Sequence, residues 1–109
     1  MKLEVGMYVR TKDGFLWKPK KIEIDEDGCC LFDDYYYFEP EQIYKSSHNI
    51  IDLIEVGDYV NGCKVIDFMY SKEKKRSVIV DSEIWGFDIE EIKSIVTKEQ
   101  FESMQYKVD

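Results

Sequence analysis

Residues 4–9 read EVGMYV, and residues 55–60 read EVGDYV. Six nearly identical residues written twice in a chain of 109 point to a duplicated unit. A second match follows in the same order. Residues 34–43, DYYYFEPEQI, lie against residues 83–92, EIWGFDIEEI, with Tyr36 on Trp85, Phe38 on Phe87, Glu41 on Glu90 and Ile43 on Ile92. The two matches are spaced slightly differently, as loops of unequal length require.

Each half reads as short strands between turns. Val5, Met7 and Val9 alternate with Gly6 and Tyr8, so each hexapeptide is expected to open a first strand. Asp13-Gly14 and Asn61-Gly62 are hairpin signals, because both dipeptides tolerate positive φ. Ile66, Phe68 and Tyr70 fall on one face at period two. Their first-half counterpart contains Pro19, which donates no ladder hydrogen bond, so that strand is an edge or is interrupted there. A brief acidic turn then precedes a last apolar run in each half. Thr97-Lys98-Glu99-Gln100 fits a capping box, and Phe101 and Met104 then share a helical face. The expected fold is mainly β: two tandem SH3-like small barrels docked together, residues 1–51 and 52–109, with a short C-terminal helix over 97–105. The apolar run 49–54 joins them too tightly for a loose linker.

Composition narrows the partners. The net charge of −8 repels nucleic acid and anionic membranes and favours basic partners. No apolar run reaches a membrane span, and the amino-terminal residues do not form a secretory leader. With an odd count of three cysteines, this predicts reduced thiols and a cytoplasmic protein.

Few residues promise chemistry. Cys29, Cys30, Cys63 and His48 are four possible zinc ligands, yet no C-x-x-C pair exists and adjacent strand cysteines face opposite ways. Buried structural thiols are the expectation, with no metal and no cofactor. The single histidine has no spaced nucleophile, and neither a phosphate loop nor a nucleophile elbow is present, so no catalysis is expected. The basic run 72–76 reads as loop charge.

The richest surface signal is residues 23–44, which carry eight carboxylates and no Lys or Arg. Tyr35, Tyr36 and Tyr37 sit among them. With Tyr36 inward beside Phe38, Tyr35 and Tyr37 point outward. Asp33, Asp34, Tyr35, Tyr37, Glu39 and Glu41 are the expected protein-binding residues, aromatic anchors set among charges that suit a basic surface. Ordinary solvated acids over core aromatics are the plain alternative. A barrel groove lined by Trp17, Tyr35 or Trp85 is another.

Three blocks also carry a resemblance: EVGMYVRTKDG (4–14), SHNIIDLIEVGDYVNG (47–62) and IKSIVTKEQFESMQYKV (92–108). Together they resemble a family of uncharacterised small proteins of Firmicutes phages and prophages. The resemblance covers about half the chain and implies a cytosolic, phage-associated accessory protein. It brings no catalytic motif. Small acidic phage proteins are often anti-defence factors. The resemblance therefore implies an inhibitor of a host nucleic-acid-handling enzyme, with a type II CRISPR nuclease as the target class.

Overall fold

The computed structural model describes residues 3–70, 76–82 and 86–104. It divides into two compact units, Met1–Leu53 and Ile54–Asp109.

In the first unit the order is β1 (Tyr8–Thr11), β2 (Leu16–Trp17), β3 (Ile22–Ile24), β4 (Cys30–Phe32) and β5 (Tyr36–Phe38). A one-turn helix Pro40–Gln42, then β6 (Ile43–Ser47) and a second helical turn Ile50–Leu53 complete it. The strands form two sheets, ordered β2-β1-β6 and β3-β4-β5. Their buried side chains meet in one core of Val9, Cys30, Phe32 and Ile43, flanked by Leu3, Ile22 and Phe38.

The second unit holds β7 (Tyr59–Val60), β8 (Cys63–Tyr70), β9 (Arg76–Val80), a helical turn Ile89–Glu91, β10 (Ile95–Val96) and α1 (Lys98–Met104). One sheet runs β10-β7-β8-β9. Ile54, Val60, Val65, Val78 and Val80 are buried.

The two units repeat the same connectivity. In each, the first strand pairs antiparallel with the last, β1 with β6 and β7 with β10. In each, a one-turn helix leads into that last strand, and another helical segment follows it. The pairs Ile22↔Phe32 and Ile24↔Cys30 of β3–β4 recur as Val65↔Val80 and Phe68↔Val78 of β8–β9, and Cys30↔Phe38 recurs as the bridge Val78↔Phe87. Each of the three sheets is open among the described residues, so the structure is mainly β without closed barrels.

The repeated hexapeptide is a turn before it is a strand. Met7 N–H donates to the Glu4 carbonyl at 3.2 Å, and Asp58 N–H donates to the Glu55 carbonyl at 3.0 Å. Gly6 and Gly57 both stand at φ +99°, as the third position of a type II turn demands. Val5 and Val56 are consequently exposed rather than strand-buried, and pairing begins at Tyr8 and Tyr59. The turn glutamates are held alike. Glu4 lies 2.6 Å from His48, just past β6, and Glu55 lies 3.0 Å from Lys98, just past β10.

Two further expectations are corrected by backbone geometry. The ladder of β8 shifts between Val65 and Asp67, so Ile66 is an extra residue in a bulge. Val65, not Ile66, therefore joins the buried face, and Ile66 is 50% exposed. Along α1, Phe101 stacks on Tyr59 with ring centroids 4.1 Å apart, whereas Met104 is exposed. Other signals hold. Asn61 and Gly62 both take positive φ in the β7–β8 hairpin. The strand containing Pro19 is broken into β2 and β3. Thr97 caps α1, its Oγ1 accepting Gln100 N–H at 3.3 Å. The apolar run 49–54 coils into the Ile50–Leu53 turn, where Ile51 and Leu53 are buried and the Leu53 carbonyl accepts from the buried Arg10 guanidinium at 2.7 Å. No helix among the described residues is long and apolar enough to cross a membrane.

Candidate protein-binding face

The acidic tyrosine stretch is carried by the β3-β4-β5 sheet. Cross-strand register assigns its faces. Ile22, Phe32 and Tyr36 form one row, and Ile24, Cys30 and Phe38 another, on the side of the core. Glu23, Leu31 and Tyr37 form the opposing row. Tyr37 thus points outward and is 60% exposed. Tyr36 shares the core-side face, as expected, but sits at the sheet's end and stays 41% exposed, its ring edge-on to Trp17 at 3.9 Å.

The six nominated residues separate into two groups. Asp33, Asp34 and Tyr35 form the β4–β5 hairpin tip. Asp33 and Asp34 both take positive φ, and Tyr35 N–H closes on the Phe32 carbonyl at 3.1 Å, which is a type I′ turn. Asp33 is committed internally. One carboxylate oxygen accepts the Lys20 and Lys21 amides at 2.8 and 2.9 Å, and the other accepts the Trp17 indole N–H at 3.2 Å. It ties the loop around Pro19 to the hairpin. Asp34 is exposed and ion-paired with Lys21 at 2.8 Å. Tyr35 is 80% exposed.

Tyr37, Glu39 and Glu41 lie at the other end of β5. Glu39 caps the Pro40–Gln42 turn, with the Gln42 side chain accepting its N–H at 2.7 Å. Glu41 lies exposed in that turn. The β3–β4 turn packs beside it, since a Cβ on Gly28 would meet the Pro40 ring at 3.5 Å. This brings Asp25, Glu26 and Asp27 toward Glu39 and Glu41. Asp25 is fixed by accepting the Asp27 and Cys29 amides, both at 2.9 Å. None of these five carboxylates forms an ion pair among the described residues.

Tyr37 stands in this field. Its phenol is pushed up to about 12, chiefly by a hydrogen bond with the Cys29 side chain, then by burial and the charges of Cys29, Asp25 and Glu39. It remains a neutral hydrogen-bonding group at ordinary pH. Cys30, on the core side of the sheet, is buried, and that burial pushes its thiol up.

A row of rings runs along the tip side. Phe15 contacts Trp17 at 6.1 Å, Trp17 contacts Tyr36 at 3.9 Å, and Tyr36 contacts Tyr35 at 5.0 Å. The sequence named Trp17 and Tyr35 as groove residues, but not Phe15 or Tyr36, because Phe15 and Trp17 come from a hairpin and Tyr35 and Tyr36 from another. Trp85 and residues 72–75 of the basic run lie outside the described residues. Arg76 is described and stacks on Phe68 at 3.9 Å. Among the described residues no group of three or more His, Cys, Asp or Glu is arranged to hold a metal ion. No protein-family model, curated protein or solved structure matches the chain.

Proposed function

We propose that the chain is a phage- or prophage-encoded, non-enzymatic binding protein. Its first unit engages a basic surface on a host nucleic-acid-handling defence enzyme, with a type II CRISPR nuclease as the target class. The observation that carries this reading is the outward Tyr37, set among carboxylates that lack ion partners within the described structure. Exposed tyrosine supplies contact area at low entropic cost, and surrounding carboxylates steer a basic partner and exclude nucleic acid. The net charge of −8 and the three phage-like sequence blocks support the same direction. Each unit is read as an SH3-like small barrel repeat. Pairing of first strand with last, and the helical turn before the last strand, support that reading.

The second reading is an interaction adaptor with no anti-defence role. The contact of Trp17, Tyr36 and Tyr35 favours it, since exposed rings suit many protein partners.

The test is inhibition of a purified type II nuclease by the intact chain and by a variant carrying Asp34→Lys, Glu39→Gln and Glu41→Lys. Inhibition by the parent and its loss in the folded variant are the expected results. No inhibition by the parent across nucleases of this type, with capture of virion or replication proteins instead, favours the adaptor.

A further inference from the structure

Two rings of the first unit's row, Phe15 and Trp17, have no counterpart among the described residues of the second. The register Val9↔Trp17 recurs as Val60↔Cys63, so a cysteine stands where Trp17 does. Phe15 belongs to the longer β1–β2 loop, while β7 and β8 are joined by Asn61-Gly62 alone. Phe15, Tyr35 and Tyr36 are exposed, and so are not required as core. The second unit's β7–β8 hairpin forms without rings at the Phe15 and Trp17 positions.

The rings are tilted, not coplanar. Trp17 and Tyr36 cross at 78°, and Tyr35 and Tyr36 at 64°. Such corners offer a ring face beside a ring edge, which suits a flat cation laid on the face. Asp34 adjoins Tyr35 in the hairpin tip at one end of the row. Asp34 is already balanced by Lys21. Simple charge attraction is therefore weak at the tip itself, and the rings do the selecting. The same chemistry occurs within the chain, where the Arg76 guanidinium lies 3.9 Å from the centre of Phe68.

We infer that the row Phe15–Trp17–Tyr36–Tyr35 is an arginine-selective docking strip, taking guanidinium groups of an extended basic segment on the partner protein. The inference rests on the reading of the first unit as the protein-binding half and names the side chain it reads. A guanidinium is planar, weakly hydrated and stacks on aromatic faces, whereas an ammonium is compact and strongly hydrated. Net negative charge brings the cationic segment in, and the rings distinguish arginine from lysine.

The experiment follows the Trp17 indole N–H by NMR in the intact protein. Peptides of alternating Gly and Arg are compared with the same peptides carrying Lys. The arginine peptide is expected to shift Trp17 with an affinity about five- to tenfold tighter. Tyr35→Ala and Phe15→Ala are expected to erase most of that preference with the amide spectrum preserved, and Tyr35→Phe to keep it. Equal response to Arg and Lys overturns the inference, as does tighter binding of a Gly-Pro peptide or of single-stranded DNA. Unchanged preference in folded Tyr35→Ala also overturns it. Nuclease inhibition retained without any arginine preference sinks this inference alone. Arginine preference without inhibition sinks only the nuclease assignment.

Discussion

The carboxylate of Asp58, fully buried, accepts the Lys98 backbone N–H at 2.9 Å. Its second oxygen accepts the Glu55 N–H at 2.7 Å. One side chain thus joins the repeated turn to the first residue of α1, where a negative charge also complements the helix end. The matching position in the first unit is Met7, which has no such oxygen. Asp58→Ala leaves two amides without their acceptor, each costing about 1–3 kcal/mol. A loss of about 3 kcal/mol is expected, with Asp58→Asn near half of that because its amide retains one acceptor. Hydrogen exchange at the Phe101 N–H, which donates to Thr97 at 2.8 Å, reports it directly. Unaltered protection there in Asp58→Ala would rule out this role.

Gly86 and Gly62 make a matched pair. Both stand at positive φ, +73° and +82°. A Cβ on Gly86 would run into the Val78 carbonyl, the same oxygen that accepts Phe87 N–H at 2.7 Å. A Cβ on Gly62 meets nothing within 4 Å. Gly62→Ala is expected to cost about 1 kcal/mol from left-handed strain alone. Gly86→Ala adds disruption of the Val78–Phe87 bridge, for about 3 kcal/mol in total. Urea denaturation of the two variants ranks them, and equal midpoints would contradict the crowding at Gly86.

The raised Tyr37 phenol sets an alkaline limit. A tyrosine near 10 when unfolded and about 12 when folded binds more protons in the folded state between those values. Its contribution is complete below pH 10 and is lost as pH rises from 10 to 12. Carbon-13 NMR of labelled tyrosines should find Tyr37 titrating about two units later than an ordinary phenol. Cys29→Ala removes the largest cause and should return it toward 10. A Tyr37 signal that titrates near 10 in the parent would contradict the hydrogen bond with Cys29.

The repeat was legible because duplication leaves literal matches, and the hairpins at Asp13-Gly14 and Asn61-Gly62 because positive φ restricts residue choice. What escaped was any feature that depends on one extra residue or one distant amide. Period-two reading assumes an unbroken ladder, so the bulge at Ile66 moved Val65 onto the buried face instead. Asp33-Asp34 carries no glycine, so its type I′ geometry gave no local signal. Nor does a sequence show that the Asp33 carboxylate will meet Lys20, Lys21 and Trp17, since those partners arrive through the fold of another loop. Asp25, Glu26 and Asp27 lay in the acidic stretch, but only the packing of Gly28 beside Pro40 joins them to Glu39 and Glu41.

That difference between Asp33 and its neighbours separates stability from recognition. Asp33→Ala removes the acceptor of two backbone amides and of the Trp17 indole. About 2 kcal/mol of stability is expected to go, since Lys20 and Lys21 are exposed, Trp17 is half-buried, and water replaces part of the loss. Glu41→Lys sits on an exposed turn and should stay within about 0.5 kcal/mol of the parent. On the binding side the order reverses. Glu41→Lys places a like charge against a basic partner and weakens association, while Asp33→Ala acts mainly through the ring row that it positions at Trp17. Thermal denaturation and partner affinity measured on both variants form the test. If Asp33→Ala is as stable as the parent and binding falls as far as in Glu41→Lys, Asp33 contacts the partner directly and its internal hydrogen bonds are incidental.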